Sequence, residues 1–290
     1  MWSRKWLANF AKDLWCQIQD DNVLNGAAAL AYFLLLAIFP AAIFALSLLP
    51  YLGIPHLQQA LMDLLRQILP EQSASLFFGI VQSVISHKSK GLLTFGVIFT
   101  IWSASSGVYA MMQQLNLAHE ARDRRPYWKV RVTAILLMLT FVALVLGSLS
   151  LAILGGAVQS WLASIIGWSL PLRMFFATFR WIIIGAALLF ALALIYRFGP
   201  DAKVKFRIIS PGNLTGACLI ALASIGFRIY VSRFGDYDAT YGSLGAMIIL
   251  MLWFYLAGIA ILVGGEINAL FYEDEPRHLP SCPTGLASGK

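Results

Sequence analysis

Charge is scarce in this sequence. Only 12% of its 290 residues are Asp, Glu, Lys or Arg, while 59% are hydrophobic; a soluble domain carries about 25% charged residues. With a mean hydropathy of +0.75, this shortage excludes an ordinary water-soluble fold and points to an integral membrane protein. Cysteine is scarcer still. Cys16, Cys218 and Cys282 stand far apart without a C-x-x-C spacing, which supports neither a zinc site nor a disulfide framework. The histidines, His56, His87, His119 and His278, are scattered over different connections. None forms an H-x-x-x-H pair or joins a carboxylate cluster at metal-ligand spacing. A G-x-S-x-G elbow, a phosphate-binding Walker loop and a dinucleotide fingerprint are also missing. The expectation is therefore a protein that is not an enzyme, with no catalytic residue, no metal and no cofactor. The opening stretch MWSRKWLANFAKDLWCQIQDDN has no compact apolar segment followed by a small-residue cleavage site. No cleavable signal peptide is expected, and the first apolar span would itself direct insertion.

What the sequence has instead is long apolar runs. A hydrocarbon core of about 30 Å needs roughly 20 apolar helical residues, and six windows meet or nearly meet that length: 28–49, 92–112, 132–158, 174–196, 211–231 and 243–270. Backbone in lipid must satisfy its own polar groups, so each is a helix or part of a closed barrel. Uninterrupted runs exclude the alternating strands of a barrel. The predicted fold is an all-α integral membrane protein, a single six-helix domain over 1–272, followed by a disordered cytoplasmic tail over 273–290, whose Pro, Ser and Gly show no helical periodicity.

Lys and Arg divide unevenly between the two sets of connections. One set holds Arg4, Lys5 and Lys12; Arg122, Arg124, Arg125, Lys129 and Arg131; Arg197, Lys203, Lys205 and Arg207; and Arg277 and Lys290. The other holds only Arg66, Lys88, Lys90, Arg173, Arg228 and Arg233. The positive-inside rule then puts both termini in the cytoplasm. It also accounts for most of the net charge of +7, so a nucleic-acid partner is not needed. The long outer connection between the first two spans carries two apolar patterns at helical spacing, one through Leu57, Leu61, Leu64, Leu65 and Ile68, the other, after Pro70, through Phe77, Phe78, Val81, Val84 and Ile85. These predict two amphipathic helices that pack on the bundle or lie at the outer interface; a re-entrant element lining a pathway is the alternative.

Polar residues at membrane depth are functional candidates by default. Arg180 lies about two turns inside the fourth span, within snorkelling reach of the headgroups. With Arg173, Arg228 and Arg233 it would form a basic outer-leaflet cluster able to hold lipid phosphate, unless Asp236 and Asp238 pair with these arginines instead. In the second span Ser103 and Ser106 share a face within WSASSG; small hydroxylated residues mark close helix contact more often than a broken helix at a substrate site. Pro40 removes a hydrogen bond from the first span and should kink it. Gly242, Gly245, Gly258, Gly264 and Gly265 allow neighbouring backbones to come close. Glu266 interrupts the last apolar run. Counting about 20 residues from Ser243 puts it at the cytoplasmic interface, where a buried ion pair with Arg131 or Arg125 would make it a structural clamp; a coupling-proton or substrate role is the alternative.

Four blocks in fixed order carry a family resemblance: AAALAYFLLLAIFPAAIFAL in the first span, LNLAHEARDRRPYWKVR after the second, RFGPDAKVKFRIISPGNLTGA after the fourth, and YVSRFGDYDATYGSLGAMIILMLWFYLAGIAILVGGEINA at the end. Over about residues 20–272 the chain resembles the YihY/virulence factor BrkB family of bacterial inner-membrane proteins. The resemblance implies a six-helix inner-membrane protein but supplies no catalytic residues. Family members carry names linked to serum resistance, some have been labelled a transfer-RNA-processing ribonuclease, and some have been proposed to move lipids or lipopolysaccharide precursors. Transport of a lipid or other amphiphile in envelope biogenesis is the leading expectation. A non-transporting envelope or resistance scaffold is the alternative, and a membrane-bound ribonuclease ranks last. Membrane lipids are the expected partners. Small-residue contacts serve intrachain and interchain packing equally, so a homo-oligomer and an envelope-biogenesis partner both stay open.

Overall fold

A computed structural model describes residues 4–48, 90–166, 170–202, 204–233 and 243–272. All regular structure among them is helical: α1 (Arg4–Asp20), α2 (Val23–Leu48), α3 (Lys90–Ala118), α4 (Tyr127–Ile166), α5 (Leu170–Phe198), α6 (Pro211–Arg233) and α7 (Ser243–Tyr272). The last six each contain a stretch long and apolar enough to cross a membrane, in agreement with the six windows read from the sequence. The helices run past those windows because apolarity marks the hydrocarbon, whereas the hydrogen-bond ladder continues into the interface. α4 is the extreme case. Its 40 residues make a rod of about 60 Å, twice the thickness of the hydrocarbon core.

α1 was not foreseen as a helix. It ends at Asn22, whose backbone is left-handed (φ 52°) and whose carbonyl accepts the N–H groups of Asn25 and Gly26 at 2.9 and 3.1 Å. One residue thus stops α1 and starts α2, a role that suits asparagine because it tolerates this conformation. Cys16 on α1 is buried and disulfide-bonded, which the spacing of the cysteines along the sequence did not signal. Cys218 is free and exposed. The predicted amphipathic helices of the outer connection, the tail over 273–290, Gly242, Asp236 and Asp238 lie outside the described residues.

The chain divides into two compact units, 1–32 with 105–290, and 33–104. In the larger unit α7 packs against α6 and α1, and α5 packs against α4 and α6. Phe10 of α1 meets Phe271 of α7 with ring centroids 5.1 Å apart. Gly258 of α7 faces Ala27 and Leu30 of α2. α6 shows the principle of the arrangement: Gly212, Asn213 and Gly216 are buried while Leu222, Ile225 and Ile229 are exposed. Large apolar residues face outward and small or polar ones inward, as expected where lipid removes the hydrophobic drive between helices and close packing replaces it. In the smaller unit α2 passes through the buried Pro40 without ending. A Cβ at Gly96 of α3 would lie 3.0 Å from the backbone nitrogen of Phe44. Phe95, Phe99 and Trp102 form a ladder along α3, with centroid spacings of 5.4 and 5.9 Å.

Candidate functional site

The polar interior of the larger unit begins at the start of α6. Ser210 caps the helix: its hydroxyl accepts the Asn213 N–H at 3.1 Å, and its carbonyl accepts the Leu214 N–H at 3.0 Å. Pro211 takes the first helical position, where a missing N–H costs nothing. The Asn213 carboxamide is fully used. It donates to the carbonyls of Arg207 and Ile208 at 3.1 and 2.9 Å, and its Oδ1 accepts from the Ser210 hydroxyl and from Asn268 Nδ2 at 2.8 and 3.1 Å. Asn268, on α7, returns its own Oδ1 to the Gly212 N–H at 2.9 Å. A side chain of one helix thereby satisfies an N–H left open at the start of another.

This seam closes only because its residues are small. A Cβ at Gly212 would collide with the carbonyl oxygen of Gly264 and lie 2.5 Å from Asn268 Cγ. A Cβ at Gly264 would strike the Tyr196 hydroxyl and lie 2.7 Å from the Gly212 carbonyl oxygen. Tyr196 of α5 is buried against both helices and donates its hydroxyl to the Ile261 carbonyl at 2.6 Å. Glu266 comes next along α7. It is 1% exposed, the only carboxylate among the buried side chains of the described residues, and it is engaged within the protein rather than free. Leu115 of α3 fills the space where a Cβ at Gly265 would go.

A second polar assembly ties the connections together. Arg125 forks onto Asp123, with Nε to Oδ1 at 3.0 Å and Nη2 to Oδ2 at 2.9 Å. It also donates to the carbonyls of Phe198 and Gly199 at 3.3 and 2.9 Å, at the end of α5 where helix carbonyls lack partners. Asp201 lies 3.7 Å from Arg125 Nε, accepts the Arg124 N–H at 2.8 Å, and gives its own N–H to Asn116 Oδ1 at 2.7 Å. The hydrogen bond from Arg125 is the main reason the Asp123 carboxyl is held below its ordinary value of 3.8. The same bond raises Arg125. α3 enters this assembly through a left-handed Glu120 (φ 48°), which lets Ala121 N–H reach the Asn116 carbonyl at 2.8 Å.

The structure places several of the expected site residues. Arg125, one of the two bases expected to pair with Glu266, is committed to Asp123, Asp201 and the end of α5. Arg131, the other, donates Nη2 to Ser106 Oγ at 3.1 Å and, like Glu266, is engaged further within the protein. Ser103 is fully buried, on the helix that carries Ser106. Arg180 lies over the ring of Trp181, 5.8 Å from its centroid, and Arg228 is exposed. The side chains of Arg173 and Arg233 lie outside the described residues, and with them the four-arginine cluster. Among the described residues no three His, Cys, Asp or Glu side chains are grouped to hold a metal ion. Tyr196, Asn213, Asn268, Asp123 and Asp201 were missed. Gly212 and Gly216 form a G-x-x-x-G contact motif that the sequence itself carries.

Comparison with known proteins identifies the group. A family model described as virulence factor BrkB matches residues 14–283. The chain belongs to the virulence factor BrkB family. Among curated BrkB relatives, the ribonuclease-like protein YfkH of Bacillus subtilis (strain 168) is 35% identical over 265 residues, 91% of this chain and 96% of YfkH. A UPF0761 membrane protein of Xanthomonas campestris pv. campestris (strain B100) is 28% identical over 290 residues, 94% of this chain and 64% of the relative. One from Xanthomonas axonopodis pv. citri (strain 306) is 28% identical over 289 residues with the same coverage. The chain thus spans 64% of the length of these Xanthomonas relatives. No solved structure matches. Six apolar helices and these BrkB relatives make this a multi-pass bacterial membrane protein. The blocks RFGPD and EARDRRP meet in the Arg125 assembly, and SPGN and GGEIN meet in the α6–α7 seam.

Proposed function

We propose that this is an inner-membrane protein, with both termini cytoplasmic, that moves a lipid or another amphiphile across the membrane during envelope biogenesis. The observation that supports this reading is Glu266, 1% exposed within the apolar span Met247–Phe271. A carboxylate at that depth is expensive, and such residues mark pathways and proton relays by default. On this reading the protein is not an enzyme, uses no cofactor and binds no nucleic acid; its partners are membrane lipids, with a homo-oligomer or an envelope-biogenesis partner compatible with it.

The test is reconstitution into proteoliposomes holding a fluorescent phospholipid, with transfer between leaflets read by chemical quenching. Wild-type protein should accelerate transfer; no acceleration for any lipid or amphiphile tried overturns the reading. Glu266→Gln separates two roles. A fall in folded yield with specific activity retained marks a structural clamp and withdraws Glu266 as support for transport. Normal yield with activity lost marks a coupling carboxylate.

A non-transporting scaffold is the second reading, favoured by the seam itself. Asn213 has every carboxamide bond made inside the protein, as a purely structural junction requires. On that reading intramembrane substitutions change abundance and nothing else. The ribonuclease-like name of the Bacillus relative ranks third, because RNA hydrolysis needs converging acid–base or metal-binding groups. Metal-dependent cleavage of RNA by purified protein would reverse that ranking.

A further inference from the structure

Several hydroxyls within the apolar spans are satisfied in one way. Thr100, Thr133, Thr140, Thr215 and Ser224 each donate to the carbonyl four residues earlier, at 2.6 to 2.9 Å. Ser103 does not. It is fully buried, and its Oγ has no hydrogen-bond partner. Enclosing a hydroxyl in that state costs stability, so the position calls for another explanation than packing.

What Ser103 faces follows from register. Among the described side chains of the smaller unit, the buried ones are Ala37 and Pro40 on α2 and Gly96 and Ser103 on α3. The two helices run antiparallel, since Gln114 of α3 lies against Gly26 of α2, and Gly96 against Phe44. About two turns along α3 from Gly96, on the same face, is Ser103. The same distance back along α2 from Phe44 is Ala37, with Pro40 one turn away. Pro40 has no N–H, so the Leu36 carbonyl lacks the donor that its helix would supply, and it points along α2 into this turn. A hydroxyl without a partner and a carbonyl deprived of its helical one thus stand at the same level of the seam. Phe39 and Trp102, the neighbours of Pro40 and Ser103, are exposed, so the seam lies one residue behind the lipid-facing surface. A helix yields most readily at such a proline, which gives the seam a way to part.

The chemistry selects a ligand. A carbonyl only accepts, whereas a serine hydroxyl donates and accepts. An ionised phosphate has no proton for the carbonyl, and an ammonium has no lone pair for the serine. A hydroxyl group has both. Charge agrees, because residues 33–48 and 90–104 contain no Asp or Glu to balance a buried cation. We propose that the α2–α3 seam at Leu36, Pro40 and Ser103 binds the free hydroxyl of an uncharged membrane amphiphile, of which a diacylglycerol is the simplest. The ligand hydroxyl donates to the Leu36 carbonyl and accepts from Ser103, and its chains pass beside Phe39 and Trp102 into the lipid. The site rests on the amphiphile reading for the kind of ligand, but not on movement of that ligand.

The test is photolabelling of the full chain in nanodiscs with a diazirine-bearing diacylglycerol, the labelled peptides being read by mass spectrometry. Label is expected on α2 near Pro40 and on α3 near Ser103. Excess dioleoylglycerol should displace it, and the methyl ether of dioleoylglycerol, which has no proton to donate, should not. Ser103→Ala should weaken labelling about 3- to 10-fold, the value of one neutral hydrogen bond. Its melting temperature should be unchanged or higher, because the hydroxyl removed had no partner. Pro40→Ala returns an N–H to the Leu36 carbonyl and should weaken labelling by a similar factor. Equal displacement by the ether, label only elsewhere, or a Ser103→Ala protein that is destabilised or labels like wild type would each overturn the proposal. The displacement arm uses wild type alone and so stands even where a variant fails to fold. Leaflet transfer is read separately: hydroxyl-dependent labelling without transfer keeps the site and removes transport, and transfer with hydroxyl-independent labelling does the reverse.

Discussion

The α6–α7 seam and the Arg125 assembly both join segments far apart in sequence, yet they use opposite chemistry. The seam is built from neutral carboxamides, hydroxyls and bare glycine backbone. The Arg125 assembly is built from two carboxylates and a guanidinium whose side chains stay 20–27% exposed. The difference follows from the cost of burial. A neutral amide with all its hydrogen bonds made can be enclosed at little loss, whereas an ion pair repays its desolvation only with good geometry or residual water. Charge is placed where the connections reach solvent, and dipoles are placed between the helices. Glu266 breaks that division, being an acid on the dipole side, which is why it remains the residue of most functional interest.

The comparison can be broken most severely at the seam. Gly212→Val puts a side chain into the Gly264 carbonyl and should cost about 3 kcal/mol or more, read as lost folded yield and a lower melting temperature in detergent. If Gly212→Val melts like wild type, the two backbones are not in the contact described. Next in size is Arg125→Lys. An ammonium cannot fork onto Asp123 and also reach two carbonyls, so a loss of about 2 kcal/mol is expected, with little gained back relative to Arg125→Ala. Full rescue by lysine would mean that charge alone matters there.

Acid separates the two assemblies without mutation. Asp123 is lowered in the folded protein, so it contributes stability that is fully present above the ordinary carboxylate value of 3.8 and is lost as pH falls through the lowered value. Melting temperatures recorded below about pH 4 should therefore fall in wild type and fall less steeply in Asp123→Asn. Seam variants such as Asn268→Leu should keep the wild-type slope. The smallest effect is expected at Glu120, where the left-handed backbone suits glycine. Glu120→Gly should raise stability by up to about 1 kcal/mol, and a clear loss would show that the Glu120 side chain does more than turn the chain.

How much of this could be read in advance differs between the two levels. The six spans were legible because the apolar length required by a bilayer is a property of consecutive residues. The seam was half legible: G-x-x-x-G at Gly212–Gly216 signals a close approach, but nothing in the sequence names Gly264 and Asn268 as what is approached. The Arg125 assembly was misread. A basic residue in a loop looks like a free candidate for Glu266 until the fold brings Asp201 and the end of α5 beside it. Glu266 was seen as an anomaly and placed near the membrane boundary; its enclosure to 1% exposure is not a property of consecutive residues.

By itself, then, the sequence determined that the chain lives in a membrane, that it crosses in six helices and that Glu266 is out of place. These are consequences of local composition, which lipid reads one segment at a time. Only the tertiary structure decided which glycines touch, which carboxylates hold Arg125, and that Ser103 is enclosed on the face of α3 turned to α2. Each of these joins residues that are distant along the chain, and no local pattern encodes a distance between helices.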